Sequence, residues 1–180
     1  ATGFFMLKNF LPFVPATPIG RLMFCLILGT LAGGGMGPLY VWPVLLIALS
    51  LFWVTLTEFS GDSPWKSFAA GWLFGFGYFV FSLYWIGNAL LIDGNPYAWA
   101  YPLAVCALPA GLALFIALPC YIARRLRAGR SFIAFSVFTV LLMIFEYFRG
   151  TLFTGFPWNL FGMTWTGTLP MLQFLAIAGS

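Results

Sequence analysis

Apolar residues run through this chain in long unbroken stretches, not in alternation. Residues 22–33 form the first, ended by Gly33, Gly34, Gly35, Gly37 and Pro38, a combination that cannot stay helical. Residues 39–57 form the second, stopped by Glu58, Gly61, Asp62, Pro64 and Lys66. A third stretch covers 67–91, before the turn Asp93-Gly94-Asn95-Pro96. A fourth covers 97–123 and holds Pro102, Pro109 and Pro119, and a fifth covers 132–147. A sixth starts near Leu169 and has about ten residues, too few to cross a bilayer, so it reads as a span cut short. A transmembrane barrel would alternate apolar and polar positions over short segments, whereas continuous runs of about twenty predict helices.

Composition fixes the solvent of those helices. Of the 180 residues 62% are hydrophobic and only 7% charged, and the mean hydropathy is +1.00. Soluble domains have roughly a quarter of their residues charged. The predicted fold is therefore all-α, a polytopic integral membrane bundle of about five spans plus the start of a sixth. Residues 1–20 read as a cytoplasmic or interfacial segment, since Pro12, Pro15 and Pro18 argue against a continuous helix, and 21–180 as the membrane domain. Lys8 before an apolar run resembles a signal peptide, but more spans follow, so the first is read as retained. The first Met stands at position 6, which suggests an imprecise start.

Charge sets the orientation. The net charge of +4 comes mainly from Arg124, Arg125, Arg127 and Arg130, and a basic cluster beside an apolar helix marks the cytoplasmic side, not nucleic acid. Lys8, Arg21 and Lys66 fall on that same side, which places the Asp93 turn and the segment after residue 150 outside. Trp42, Trp65, Trp72, Tyr97, Trp99 and Tyr101 lie near span ends, as an aromatic belt requires. Cys25, Cys106 and Cys120 lie in apolar runs without Cys-x-x-Cys spacing and read as buried free thiols. The chain has no His, and neither a metal site nor a cofactor is expected.

Three features stand out against this background. Gly71 and Gly75 stand four apart with Gly77 beyond them, the small-residue spacing that lets another helix approach closely. Asn88 is an amide at membrane depth, suited to an interhelical hydrogen bond or to a ligand. The densest feature is Glu146 to Gly162, EYFRGTLFTGFPWNLFG. Glu146 and Arg149 are three apart, share a helix face, and are read as a structural ion pair. The loop beyond them carries Phe153, Phe156, Pro157 and Trp158, a composition suited to packing on protein or dipping into a membrane interface.

That run, with its FTGFPW string, resembles the signature at the same place in the apolipoprotein N-acyltransferase family. GW-x-FGFG from Gly71, WIGNALL from Trp85, and Ala123-Arg124-Arg125-Leu126 resemble that family's third and fourth membrane helices. The resemblance implies transfer of an acyl chain from a membrane phospholipid to the N-terminal diacylglyceryl-Cys of a lipoprotein, in the bacterial inner membrane. It implies a multi-pass topology with a cytoplasmic N-terminus. It also implies a ping-pong reaction on a cysteine activated by Glu and Lys in a nitrilase-like domain after the seventh family helix. No catalytic residue of that domain maps onto these 180 residues, so the isolated chain is expected to be inactive. Phe153, Phe156, Pro157 and Trp158 are then candidates for the lipid-entry mouth, or simply braces of the loop. Other readings are a transporter or channel fragment, with Asn88, Glu146 and Arg149 lining a polar path, and a non-catalytic scaffold.

Overall fold

The computed structural model describes residues 13–59, 63–126, 132–152, 156 and 158–178. Among them there is no strand. The helices are α1 (Pro18–Gly33), α2 (Trp42–Glu58), α3 (Pro64–Leu83), α4 (Tyr101–Leu112), α5 (Leu114–Arg125), α6 (Phe132–Thr151) and α7 (Leu169–Ala178). Three 3₁₀ stretches join them, at Tyr84–Leu91, Ala98–Ala100 and Phe161–Trp165.

Three helical stretches are long and apolar enough to cross a membrane, at Pro64–Leu91, Ala98–Arg125 and Phe132–Thr151. The apolar helices α1 and α2 are shorter, at 16 and 17 residues. At 1.5 Å per residue α1 extends about 24 Å, against a hydrocarbon core of about 30 Å.

The proline positions refine the expected boundaries. Pro18 does not keep the chain irregular. It occupies the first turn of α1, where its missing N–H is not needed, and the Thr17 hydroxyl accepts from the Gly20 N–H at 3.1 Å. Pro102 likewise sits in the first turn of α4. The fourth apolar run is two helices meeting at Ala113, four residues past Pro109, which cannot donate to the turn before it. The third run is α-helical only as far as Leu83 and tightens to 3₁₀ beyond it.

Between helices in lipid there is little hydrophobic gain, so close packing holds the bundle together. α3 is its centre. Gly71 and Gly75 turn toward α5, where a methyl on Gly75 would lie 2.9 Å from Ala113 Cα. On its other side α3 runs parallel to α1, and a Cβ on Gly29 would stand 1.9 Å from the Phe74 carbonyl oxygen. α2 and α6 complete the core through aromatic contacts: Phe52 stacks on Phe74 at 4.2 Å, and Trp53 on Phe138 at 5.1 Å.

One end of the bundle gathers most of the charges among the described residues. Arg21 donates to the Pro15 carbonyl at 3.0 Å and the Glu58 carbonyl at 3.1 Å, and lies 3.8 Å from the Glu58 carboxylate. Trp65 at the start of α3 packs on Tyr121 at the end of α5, with the Arg125 guanidinium 5.9 Å above that ring. Lys8, Arg127 and Arg130 lie outside the described residues. The opposite end carries the α1–α2 turn, the 84–100 connection and the segment after α6.

Candidate functional site: a loop pinned to a buried ion pair

α6 inverts the logic of a soluble helix. Phe132, Ile133, Met143 and Tyr147 are exposed along it, while Arg149 is only 2% exposed. A guanidinium loses several kcal/mol of hydration on burial, and the sequence must supply replacements. Arg149 Nη2 donates to Glu146 Oε1 at 3.2 Å and to the Asn159 carbonyl at 3.3 Å. Its Cζ lies 5.1 Å from the centre of the Phe79 ring and 5.6 Å from that of Phe161, within cation–π range. The expected ion pair is formed.

The pair also has a second task that helical spacing did not reveal. The carboxylate oxygen that holds Arg149 also accepts the backbone N–H of Phe161. The Asn159 carbonyl that accepts from Arg149 accepts the Tyr78 hydroxyl of α3 at 2.9 Å. Asn159 takes φ = +41°, a left-handed conformation that Asn tolerates better than most residues. Further on, the Thr164 hydroxyl donates to the Gly35 carbonyl in the α1–α2 turn at 2.5 Å. The segment is thus held at three places, by α6, by α3 and by the first turn.

Of the four aromatic and proline candidates, Phe153 and Pro157 lie outside the described residues. Phe156 and Trp158 pack against each other with ring centres 4.5 Å apart. Trp158 is partly buried against the core, while Phe156 remains 49% exposed. Of the residues that pin the segment, Asn159 and Phe161 lie in the run singled out from the sequence, while Tyr78 and Thr164 do not. Tyr78 gave one available signal, a phenol in an apolar helix whose buried hydroxyl must find an acceptor. Phe161 gave none, because it acts through its backbone.

The remaining candidates separate. Asn88 is exposed on the 3₁₀ stretch, and among the described residues its side chain has no hydrogen bond to another helix. Cys25 and Cys120 are buried as expected, but Cys106 is exposed on α4. Among the described residues no His, Cys, Asp and Glu cluster could hold a metal ion. Nothing in the bundle favours a polar transport path, since Glu146 and Arg149 serve each other and the loop.

Comparison with known proteins decides the family. Residues 28–180 match the family model described as the apolipoprotein N-acyltransferase N-terminal domain. The chain belongs to the apolipoprotein N-acyltransferase family. The apolipoprotein N-acyltransferase of Rhodopseudomonas palustris is 43% identical over 162 residues, which cover 88% of this chain and 30% of that protein. Those of Rhizobium rhizogenes and Brucella melitensis are 47% and 49% identical over 119 and 112 residues, covering 64% and 61% of this chain. The chain spans only 30%, 21% and 20% of these three relatives. The matched region contains the pinned loop and the helices that hold it.

Proposed function

We propose that this chain is an N-terminal membrane portion of an N-acyltransferase. In this reading it presents a phospholipid acyl donor and the N-terminal diacylglyceryl-Cys of a lipoprotein to a catalytic domain of the kind the family resemblance implies. Residues 21–180 form the membrane domain and residues 1–20 a cytoplasmic or interfacial segment, in a bacterial inner membrane. The observation that carries the reading is the match of residues 28–180 to the family's N-terminal domain. The pinned loop adds a physical rationale. A donor with acyl tails needs an apolar approach from the bilayer, and aromatic side chains next to the pinned residues could supply one. Phe156 is the described candidate that faces outward, with Trp158 behind it, and Phe153 and Pro157 belong to the same proposal.

The bond changes of acyl transfer are assigned to the catalytic domain, not to this chain. Fusing these residues to the remainder of the Rhodopseudomonas palustris relative tests the reading. The chimaera is expected to transfer a labelled acyl chain from phospholipid to a diacylglyceryl peptide. A chimaera that inserts and folds but transfers nothing overturns it.

A further inference from the structure

The connection between the two longest apolar stretches is unlike a water-facing loop. Between residues 84 and 100 the only carboxylate is Asp93, and Lys and Arg are absent. Trp85, Asn88 and Leu91 stand three apart on the 3₁₀ stretch, share one face, and are all exposed. The exposed surface continues through Ile92 (67%), Tyr97 and Trp99 (74%).

Several donors of this connection find acceptors nearby. The Asn95 N–H donates to the Ile92 carbonyl at 3.0 Å, and the Tyr97 N–H to Asn95 Oδ1 at 2.9 Å. The Ala100 N–H donates to the Tyr97 carbonyl at 2.9 Å, and Trp85 Nε1 to the Ser82 carbonyl at 3.1 Å. Gly87 is buried where a Cβ would lie 2.5 Å from the Tyr101 ring, so the 3₁₀ stretch lies back on the start of α4 instead of projecting away.

We propose that residues 84–103 are a shallow hairpin lying in the headgroup region of the bilayer, with Trp85, Leu91, Ile92, Tyr97 and Trp99 toward lipid. Trp and Tyr favour that depth because each has an apolar ring and a polar handle, and the Asn88 amide suits it equally. The surface is continuous with the lipid-facing sides of the two membrane-length stretches it joins, which makes lipid the occupant rather than a second protein. This inference is independent of the acyl-transfer reading.

The test reconstitutes the chain in phosphatidylcholine vesicles brominated either near the headgroup or near the chain end. Emission of the unaltered chain is compared with that of a Trp85→Phe, Trp99→Phe variant, and the difference reports those two indoles. Shallow bromines are expected to quench the difference about twofold more strongly than deep ones, with shielding from aqueous iodide. Quenching by iodide but by neither lipid would place the hairpin in water and overturn the proposal. Quenching by none of the three would mean that protein covers it, with the same consequence. A nitroxide on Ile92→Cys in a Cys106→Ser background reads the same depth should the double variant fail to reconstitute.

Discussion

Tyr78 of α3 and Arg149 of α6 donate to one and the same oxygen, the main-chain carbonyl of Asn159. Two helices distant in sequence are thereby joined through a loop atom that no side-chain substitution at Asn159 can remove. Tyr78→Phe leaves the ring packing intact and deletes one of the two donors. It is expected to cost about 1 kcal/mol and to speed hydrogen exchange at Leu160 and Phe161, measured by thermal unfolding in detergent and by exchange mass spectrometry. Unchanged exchange there would show that the loop is held without this bond.

The Glu146 and Arg149 pair predicts a particular order among variants. Arg149→Met or Glu146→Leu alone strands a partner and is expected to cost on the order of 3 kcal/mol. The double variant is expected to cost less than the sum of the two. Glu146→Gln should be milder than Glu146→Leu, because an amide oxygen still accepts the Phe161 N–H. Strict additivity in the double-mutant cycle would mean the charges do not couple.

Gly29 and Gly111 make a controlled comparison of one substitution in two places. Gly29→Ala drives a methyl into the Phe74 carbonyl and should separate α1 from α3, at a cost of several kcal/mol. Around Gly111 the space is open, so Gly111→Ala is expected to be neutral or stabilising by up to about 1 kcal/mol. Equal midpoints for the two variants would contradict the α1–α3 contact.

Much of this bundle was legible because lipid imposes long apolar helices. The pair at Glu146 and Arg149 was legible from spacing alone. What was not legible was non-local. The helix junction at Ala113, four residues past Pro109, and the 3₁₀ tightening after Leu83, with Gly87 against Tyr101, lie inside continuous apolar runs that mark neither. The exposure of Cys106 depends on which side of α4 faces α3. The pinning of the loop uses carbonyls and an N–H, which every residue has and no sequence pattern marks.

Topology follows from the same arrangement. Reporter fusions after Gly94 and Gly167 are expected to report outside and a fusion after Leu126 inside, given that Arg21 and Arg125 mark one end of the bundle. A cytoplasmic signal at Gly167 would invert the proposed orientation.

The chain by itself is expected to form no acyl-enzyme. Cys25 and Cys120 are buried, and Cys106 faces outward from an apolar helix. No imidazole exists in the chain to take a thiol proton. Incubation with phospholipid carrying a labelled acyl chain should leave no hydroxylamine-sensitive label on the protein. A thioester mapped to any of the three cysteines would reverse the assignment of chemistry to another domain.

The fit of Gly29 against Phe74 also constrains how the molecule is built. A chain emerging from its N-terminus delivers α1 and α2 to the membrane before α3 exists, yet Gly29 and Gly33 of α1 pack tightly on α3. The first helix must therefore wait in lipid, short for the bilayer and tethered to α2 through Arg21 and Glu58, until its true neighbour arrives. Synthesis that stalls before residue 83 would leave the glycine face of α1 open to other helices in the membrane.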